Sequence, residues 1–224
     1  SAPLSPEVHK KFEKTFNVKV IETMGLTETA AQILSNPTNG GKHGSAGKAY
    51  GNEVRIIDDH GNYAPSGITG ELVIKGDNVL LEYFKNEEAT QGAFNEDGYF
   101  LTGDLGVEDE EGFFFITGRK KELIIKGGEN ISPREIDDTL YKHNAVLEAC
   151  TFGIEDDNYG EEISACVYLK DDLVANEEEL LDLCKADLGE YKTPRQIIFV
   201  NEPLPKGPSG KIQRLKIASQ YSSS

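Results

Sequence analysis

Four short stretches carry residue types that do chemistry. In "MGLTET", Met24 to Thr29, a glycine precedes a hydroxyl and a carboxylate. Gly25 lets backbone approach a ligand. Thr27 can donate to a phosphate oxygen, and Glu28 offers a hard oxygen to magnesium. The competing use of Thr27 is as a helix cap. In "GYFLTGDLG", Gly98 to Gly106, Asp104 can accept from two vicinal hydroxyls of a sugar, or it forms an Asx-turn, the commoner use of Gly-Asp. "TGRKKELIIKGGENISPREI", Thr117 to Ile136, gathers Arg119, Lys120, Lys121 and Lys126 ahead of Gly127-Gly128. It is either an anion-binding joint with a low-bulk turn or a basic linker before a hairpin. "LPKGPSGKIQR", Leu204 to Arg214, sets Lys211 after the last glycine of a turn region. It is not a phosphate cradle, because Pro205 replaces the first glycine and Ile212 follows the lysine. If Lys211 meets an anion it does so from an arm; otherwise it is a solvated loop lysine.

The elements that must position these residues follow from periodicity. Ser5-Pro6 reads as a helix start, with Val8, Phe12 and Phe16 as an apolar stripe at spacing four. "VKVIE" (18–22) reads as a strand entering the Met24–Thr29 turn. From Gly44 to Thr117 short runs ("EVRIID", "ELVIK", "VLLEYF", "YFLT", "FFFIT") alternate with turns, a texture expected of a small β-barrel or sandwich. "ISPREIDDTL" suggests a capping box at Ser132 and Glu135, and "NEEELLDLCKADLG" repeats it at Asn176 and Glu179 with Gly189 as stop. With "ACTFGI", "ISACVYL" and "QIIFV", the last hundred residues or so predict an α+β unit of about three strands with flanking helices. A boundary is expected at 117–121, dividing the chain into 1–118 and 119–224.

Composition limits the partners. The 224 residues hold 39 acids against 23 lysines and arginines, a net charge of -16, which disfavours nucleic acid and acidic membrane surfaces. Cys150, Cys166 and Cys184 show no metal-ligand spacing and read as buried thiols of a reducing, cytoplasmic compartment. The four histidines show no ligand spacing, no run spans a membrane, and the first residues do not form a signal peptide.

Taken in order, "SAPLSPEV", "MGLTET", "GSAGKAYGNEVRIID", "GELVIKG", "YFLTGD", "GRKKELIIKGGENISPREIDDTL" and "LPKGPSGKIQR" resemble the adenylate-forming superfamily. That superfamily includes acyl-CoA synthetases, coumarate-CoA ligases, luciferases and adenylation domains. The resemblance covers nearly the whole chain and implies a mixed α/β and α+β fold. Residues 1–118 would be the end of a large α/β AMP-binding domain with its β-barrel subdomain, and 119–224 a small mobile domain. It implies ATP, Mg2+ and CoA as cofactors and a small carboxylic acid as substrate. By resemblance, Thr27 contacts the AMP phosphate, and Glu28 holds magnesium. Met24 and Gly25 adjoin the adenine, and Asp104 and Arg119 meet the ribose hydroxyls. Lys121 is the hinge, and Lys126, Gly127 and Gly128 line the thiol's path. Lys211 bridges the acyl carboxylate and the α-phosphate. Met24 departs from the family's usual tyrosine. The upstream Ser/Thr/Gly-rich loop that grips triphosphate is not in this sequence, so it is expected to be the C-terminal portion of a longer enzyme and inactive alone. A carrier-protein loading domain, a luciferase-like oxidative enzyme and a non-catalytic nucleotide-binding module are the alternatives.

Overall fold

The computed structural model describes Leu4 and residues 6–221. The expected cap at Ser5 and the last three serines lie outside them. The chain divides into two compact units between Lys120 and Lys121. Arg119 therefore belongs to the first unit, whereas the sequence boundary had set it in the second.

The first unit opens with helix α1 (Pro6–Phe16). Its stripe is exposed: Val8, Phe12 and Phe16 are 52%, 47% and 61% accessible. "VKVIE" is not a strand. Strand β1 covers Thr23–Gly25 instead, pairing antiparallel with β2 (Gln32–Ser35), which pairs with β3 (Lys48–Ala49). β-propensity without a partner strand does not hold an extended backbone, and Val18 and Ile21 stay exposed.

A second sheet is an antiparallel meander of β4 (Glu53–Ile57), β5 (Gly70–Lys75), β6 (Phe100–Glu108) and β7 (Phe114–Arg119), with the short helix α2 (Glu87–Gln91) between β5 and β6. The expected β-barrel is not closed. β7's outer edge is taken instead by the chain at Ala46–Gly47, through Ala46 N to Phe114 O and Phe114 N to Gly47 O, both 2.9 Å. Gly47 sits at φ +103°, and any Cβ there would lie 2.0 Å from Ser35 backbone, so only glycine fits this crossing. "VLLEYF" forms no strand either; Leu81 and Phe84 are 92% and 83% exposed. One core serves both sheets, with Ile33, Leu34, Val54, Ile56, Leu72, Ile74 and Phe114 buried together.

The second unit is a sheet with helices on both faces. Hairpin β8 (Ile124–Lys126)/β9 (Glu129–Ile131) leads into helix α3 (Pro133–Leu140). Long strands β10 (Val146–Asp156) and β11 (Gly160–Leu169) pair antiparallel. Helix α4 (Glu177–Leu188) returns the chain so that β12 (Gln196–Val200) lies parallel to β11, and α5 (Arg214–Tyr221) closes the fold. The sheet thus has five strands, three long and two short, rather than about three. Period-two alternation sorts the side chains. Ala149, Ile163, Ala165 and Val167 face Ile136, Leu140, Leu180 and Cys184, while Cys150, Phe152 and Cys166 face Leu204 and Ile217. All three cysteines are buried free thiols. The capping box at Asn176 and Glu179 forms; Ser132 occupies the cap position of α3 without a side-chain cap bond. No helix among the described residues is long and apolar enough to cross a membrane.

Candidate functional site

In the first unit, Thr27–Thr29 is a single 3-10 turn between β1 and β2. Thr29 holds it: its buried hydroxyl has one proton to share between Leu26 O and Ala31 O, 3.0 and 2.8 Å away, and accepts from Leu26 N at 3.1 Å. Thr27 is exposed and its hydroxyl makes no bond among the described residues. Glu28 is half-buried. Its carbonyl accepts from Leu80 N at 2.7 Å and its carboxylate from Tyr83 Oη at 3.3 Å. Burial first, and the Glu28 charge next, raise the Tyr83 pKa, so the phenol stays a donor. Gly25 has an internal reason: a Cβ would stand 2.7 Å from Ala31 O. Met24 packs with Leu26 against the shared core.

Asp104 and Arg119 are directly opposite in the β6–β7 register, and Arg119 Nε donates to Asp104 Oδ1 at 2.8 Å. Asp104's side chain is 10% exposed and Arg119's 41%, so the pair opens to solvent on the arginine side. A frame fixes it from behind. Thr102 Oγ1 donates to Leu72 O at 2.7 Å and accepts from Asp104 N at 3.0 Å. Glu71 accepts from Gly103 N at 3.0 Å and from Lys120 Nζ at 3.1 Å, tying the middle of β6 to the residue after β7. Gly103, at φ +69°, permits the irregularity where the β5–β6 register shifts. Glu71, Thr102 and Tyr83 were missed from sequence. The only signal was an acid inside the apolar run of β5, which a buried strand tolerates only when its charge is matched.

In the second unit, Gly127 and Gly128 form the two-residue turn of the β8–β9 hairpin, at φ +57° and +87°. Two positive φ values suit the twist of a tight hairpin. A Cβ on Gly127 would lie 2.9 Å from Tyr191 Oη; one on Gly128 would meet open space. Lys126 points inward. Its ammonium pairs with Glu162 at 2.5 Å, donates to Tyr191 O at 3.2 Å, and its side chain is 9% exposed. Tyr191 returns a bond to Lys126 O at 2.5 Å, so this lysine braces the glycine turn. Lys121 is exposed at the first position of the unit.

Lys211 sits on a small hairpin closed by a bridge between Lys206 and Ile212, with Gly207 N donating to Lys211 O at 2.8 Å and Gly210 at φ +78°. Its side chain is exposed and its ammonium makes no bond among the described residues. The hairpin is anchored on both sides. Glu148 accepts from Leu204 N at 2.8 Å and pairs with Lys206. Beyond it, Arg214 donates to Asp137 at 2.8 Å, to Glu122 at 3.0 Å and to Thr151 O. The structure thus brings Asp104 to Arg119 and Lys126 to the glycine turn, and puts Lys211 in a different unit from Thr27, Glu28 and Asp104.

Comparison with known proteins gives one consistent picture. The family model "AMP-binding enzyme" matches residues 1–84, and "AMP-binding enzyme C-terminal domain" matches residues 135–211. A sulfoacetate–CoA ligase of Cupriavidus necator is 49% identical over 219 residues, covering 97% of this chain and 43% of that protein. An oxalate–CoA ligase of Saccharomyces cerevisiae is 42% identical over 227 residues, covering 100% of this chain and 42% of that protein. The crystal structure of ATP-bound MatB from Rhodopseudomonas palustris matches with a TM-score of 0.93 at 34% identity, over 99% of this chain and 44% of that one. The chain spans less than half the length of these relatives.

Proposed function

The chain belongs to the AMP-binding enzyme family, and from that premise we propose that its protein is an ATP-dependent acid–CoA ligase working through an acyl-adenylate. A substrate carboxylate oxygen attacks the α-phosphorus of ATP, and pyrophosphate leaves. The thiol sulfur of CoA then attacks the acyl carbon, and AMP leaves. The first step brings two anions together, so its barrier is largely electrostatic.

Thr27 offers a free hydroxyl to the α-phosphate. Asp104, held by Arg119 and the Thr102 frame, offers carboxylate oxygen to the ribose hydroxyls. Met24 lends a thioether edge beside the purine. Glu28 fits a magnesium ion because it is a half-buried hard-oxygen ligand with a single hydrogen bond to its carboxylate. The bound ion would offset phosphate charge. Lys211 supplies a compact cation between the carboxylate and the phosphate. Lys121, at the junction of the units, is the hinge by which that lysine is withdrawn before the thiol step. Gly128, open on its outer side, gives the pantetheine arm room, and Lys126 with Tyr191 keeps that turn in shape.

The observation that carries this reading is Lys211: an unpartnered ammonium on a braced hairpin, in a chain with 39 acids. Similarity across both units to CoA ligases supports it. The relatives' acids, sulfoacetate and oxalate, are both small dianions, so we infer a small acid with a second anionic group. In the complete enzyme, Lys211→Ala is expected to lower acid-dependent ATP–pyrophosphate exchange by about 100- to 1,000-fold while sparing thioester formation from supplied acyl-AMP. Equal losses in both steps would reject the assignment. No exchange with any small dianionic acid would reject the substrate class.

A further inference from the structure

The AMP-forming reading makes no use of a cluster at the start of the first unit. Helix α1 carries His9 and Glu13 four residues apart, on one face. The loop after β2 brings His43 to them. That approach depends on Gly44, which sits at φ +80° with its Cβ position 3.0 Å from Pro6 Cγ. Nε2 of His43 is 2.8 Å from Glu13 Oε2, and Nε2 of His9 is 3.5 Å from Glu13 Oε1. The two imidazole rings meet edge-on, with centroids 4.4 Å apart. One donor atom from each of the three residues lies within 4.8 Å of the other two. Zinc bonds of about 2.0–2.2 Å in a tetrahedron set donor atoms about 3.3–3.6 Å apart. The separations of 2.8 and 3.5 Å, with all three atoms within 4.8 Å, lie close to that range, so small side-chain rotations would complete the set.

In a metal-free cluster neither neutral tautomer of His9 satisfies both ring nitrogens. This ring is 3% exposed, and its Nδ1 is buried with no hydrogen-bond partner. Its Nε2 stands 3.2 Å from Val20 O. If Nε2–H serves that carbonyl, the bare Nδ1 lone pair faces the Glu22 carboxylate, 3.9 Å away. A cation on Nε2 reverses the ring. The proton then sits on Nδ1 and points at Glu22, the carboxylate-behind-histidine arrangement that orients metal-binding imidazoles. Charge agrees as well: a dication balances Glu13 and Glu22 when both histidines are neutral. Two imidazoles and one carboxylate favour zinc over magnesium or calcium, which prefer all-oxygen shells.

We propose that His9, Glu13 and His43 form a site for one zinc-class divalent cation, with Glu22 orienting His9 and water completing the shell. The site is separate from the magnesium position inferred at Glu28.

The test is zinc titration of the metal-free, full-length protein, read by calorimetry and by metal retained after gel filtration. One equivalent of zinc per chain is expected, undisturbed by excess magnesium. His43→Ala and Glu13→Gln should each weaken it more than about tenfold, and Glu22→Gln by about 10- to 100-fold. Zinc should raise the Tm of the wild type and leave that of His43→Ala unmoved. His43 is half-exposed, so this variant is expected to fold, checked by an unchanged metal-free circular dichroism spectrum. No zinc retained by the wild type, or equal retention by His43→Ala and Glu13→Gln, would overturn the proposal.

Discussion

Arg214 is the residue whose loss should do most to the second unit. Its side chain is 15% exposed, its Nη2 donates to Asp137 at 2.8 Å, its Nε to Glu122 at 3.0 Å, and its Nη1 to Thr151 O. Asp137 in turn accepts from Thr151 N at 2.6 Å, so helix α3, strand β10 and helix α5 meet in one network. Burial pushes the Asp137 carboxyl up, against the pull of the Arg214 guanidinium and the Thr151 bonds. Burial works hardest against Arg214's charge too, but Asp137, Cys150 and Glu122 together outweigh it and the arginine's pKa rises. The Arg214→Met variant keeps the length of the side chain and removes the counter-charge. Leaving one member of a buried ion pair alone costs about 3–5 kcal/mol. Since about 1.4 kcal/mol is a factor of ten, amide protection on β10 and β11 should fall by roughly 150- to 5,000-fold, read by native-state hydrogen exchange. The second arm decides the cause. Asn in Asp137→Asn can still accept from Thr151 N but is uncharged, so the double variant should be more stable than Arg214→Met alone. A loss below about 1 kcal/mol, the range of a surface pair, would refute the reasoning. So would a double variant as poor as the sum of the two single changes.

Gly25→Ala places a Cβ 2.7 Å from the Ala31 carbonyl. It should cost about 1–3 kcal/mol by forcing β1 and β2 apart, read as a lower urea midpoint of the first unit; an unchanged midpoint would contradict the close approach. Asp109 has its pKa held below 3.8, first by the Lys42 hydrogen bond, against burial, and further by the Phe113 and Glu111 amides. A folded pKa below the unfolded one gives stability that is complete above 3.8 and lost as pH falls through the depressed value. Asp109→Asn should therefore flatten the acid side of the urea-midpoint profile, and identical profiles for variant and wild type would contradict this.

Local rules were legible where one segment decides its own structure. Asn176 and Glu179 announced a capped helix, "ACTFGI" and "ISACVYL" announced strands, and the cysteines read as buried thiols are buried. What failed needed information from far along the chain. "VKVIE" and "VLLEYF" have strand composition, yet no neighbour offers them a ladder, and backbone groups without a ladder turn to water. The barrel failed for a similar reason. Its hairpins were readable, but whether β7's edge meets β4 or the Ala46–Gly47 loop depends on a glycine more than sixty residues upstream. The candidate site shows the same division. Asp104 and Arg119 were joined only by resemblance; residue by residue they stood apart, because their mutual contact depends on a β6–β7 register that shifts between Leu105 and Gly106. Lys126 was placed beside a ligand by resemblance, and its basic cluster left the choice between anion site and linker open. Its partner Glu162 lies on another strand, and no spacing rule connects the two.

Lys126 and Lys211 together explain why a lysine's surroundings say more than its motif. Most lysines of the second unit find a carboxylate: Lys126 finds Glu162, Lys142 finds Asp187, Lys185 finds Glu190, Lys192 finds Glu135 and Lys206 finds Glu148. In so acidic a chain, an ammonium free to move drifts toward one. Among the described residues Lys170 reaches only the Asn144 carbonyl, and Lys121, Lys211 and Lys216 show no pair at all, so absence of a carboxylate does not by itself distinguish Lys211. Its backbone does. Lys216 lies within α5 and Lys121 at the junction of the units, whereas Lys211 is fixed on a hairpin between two anchors, Glu148 before it and the Arg214 network after it. Ile212 beside it packs into the core under α5. A fixed backbone with a free side chain lowers the entropy lost when the charge meets a transition state, while keeping the charge unspent beforehand. Under the role proposed for Lys211, the Arg214 network serves adenylation by holding that hairpin. Loosening it should blunt adenylation in the complete enzyme even at temperatures where the second unit remains folded. Full adenylation by a folded Arg214→Met enzyme would separate the anchor from the lysine's role.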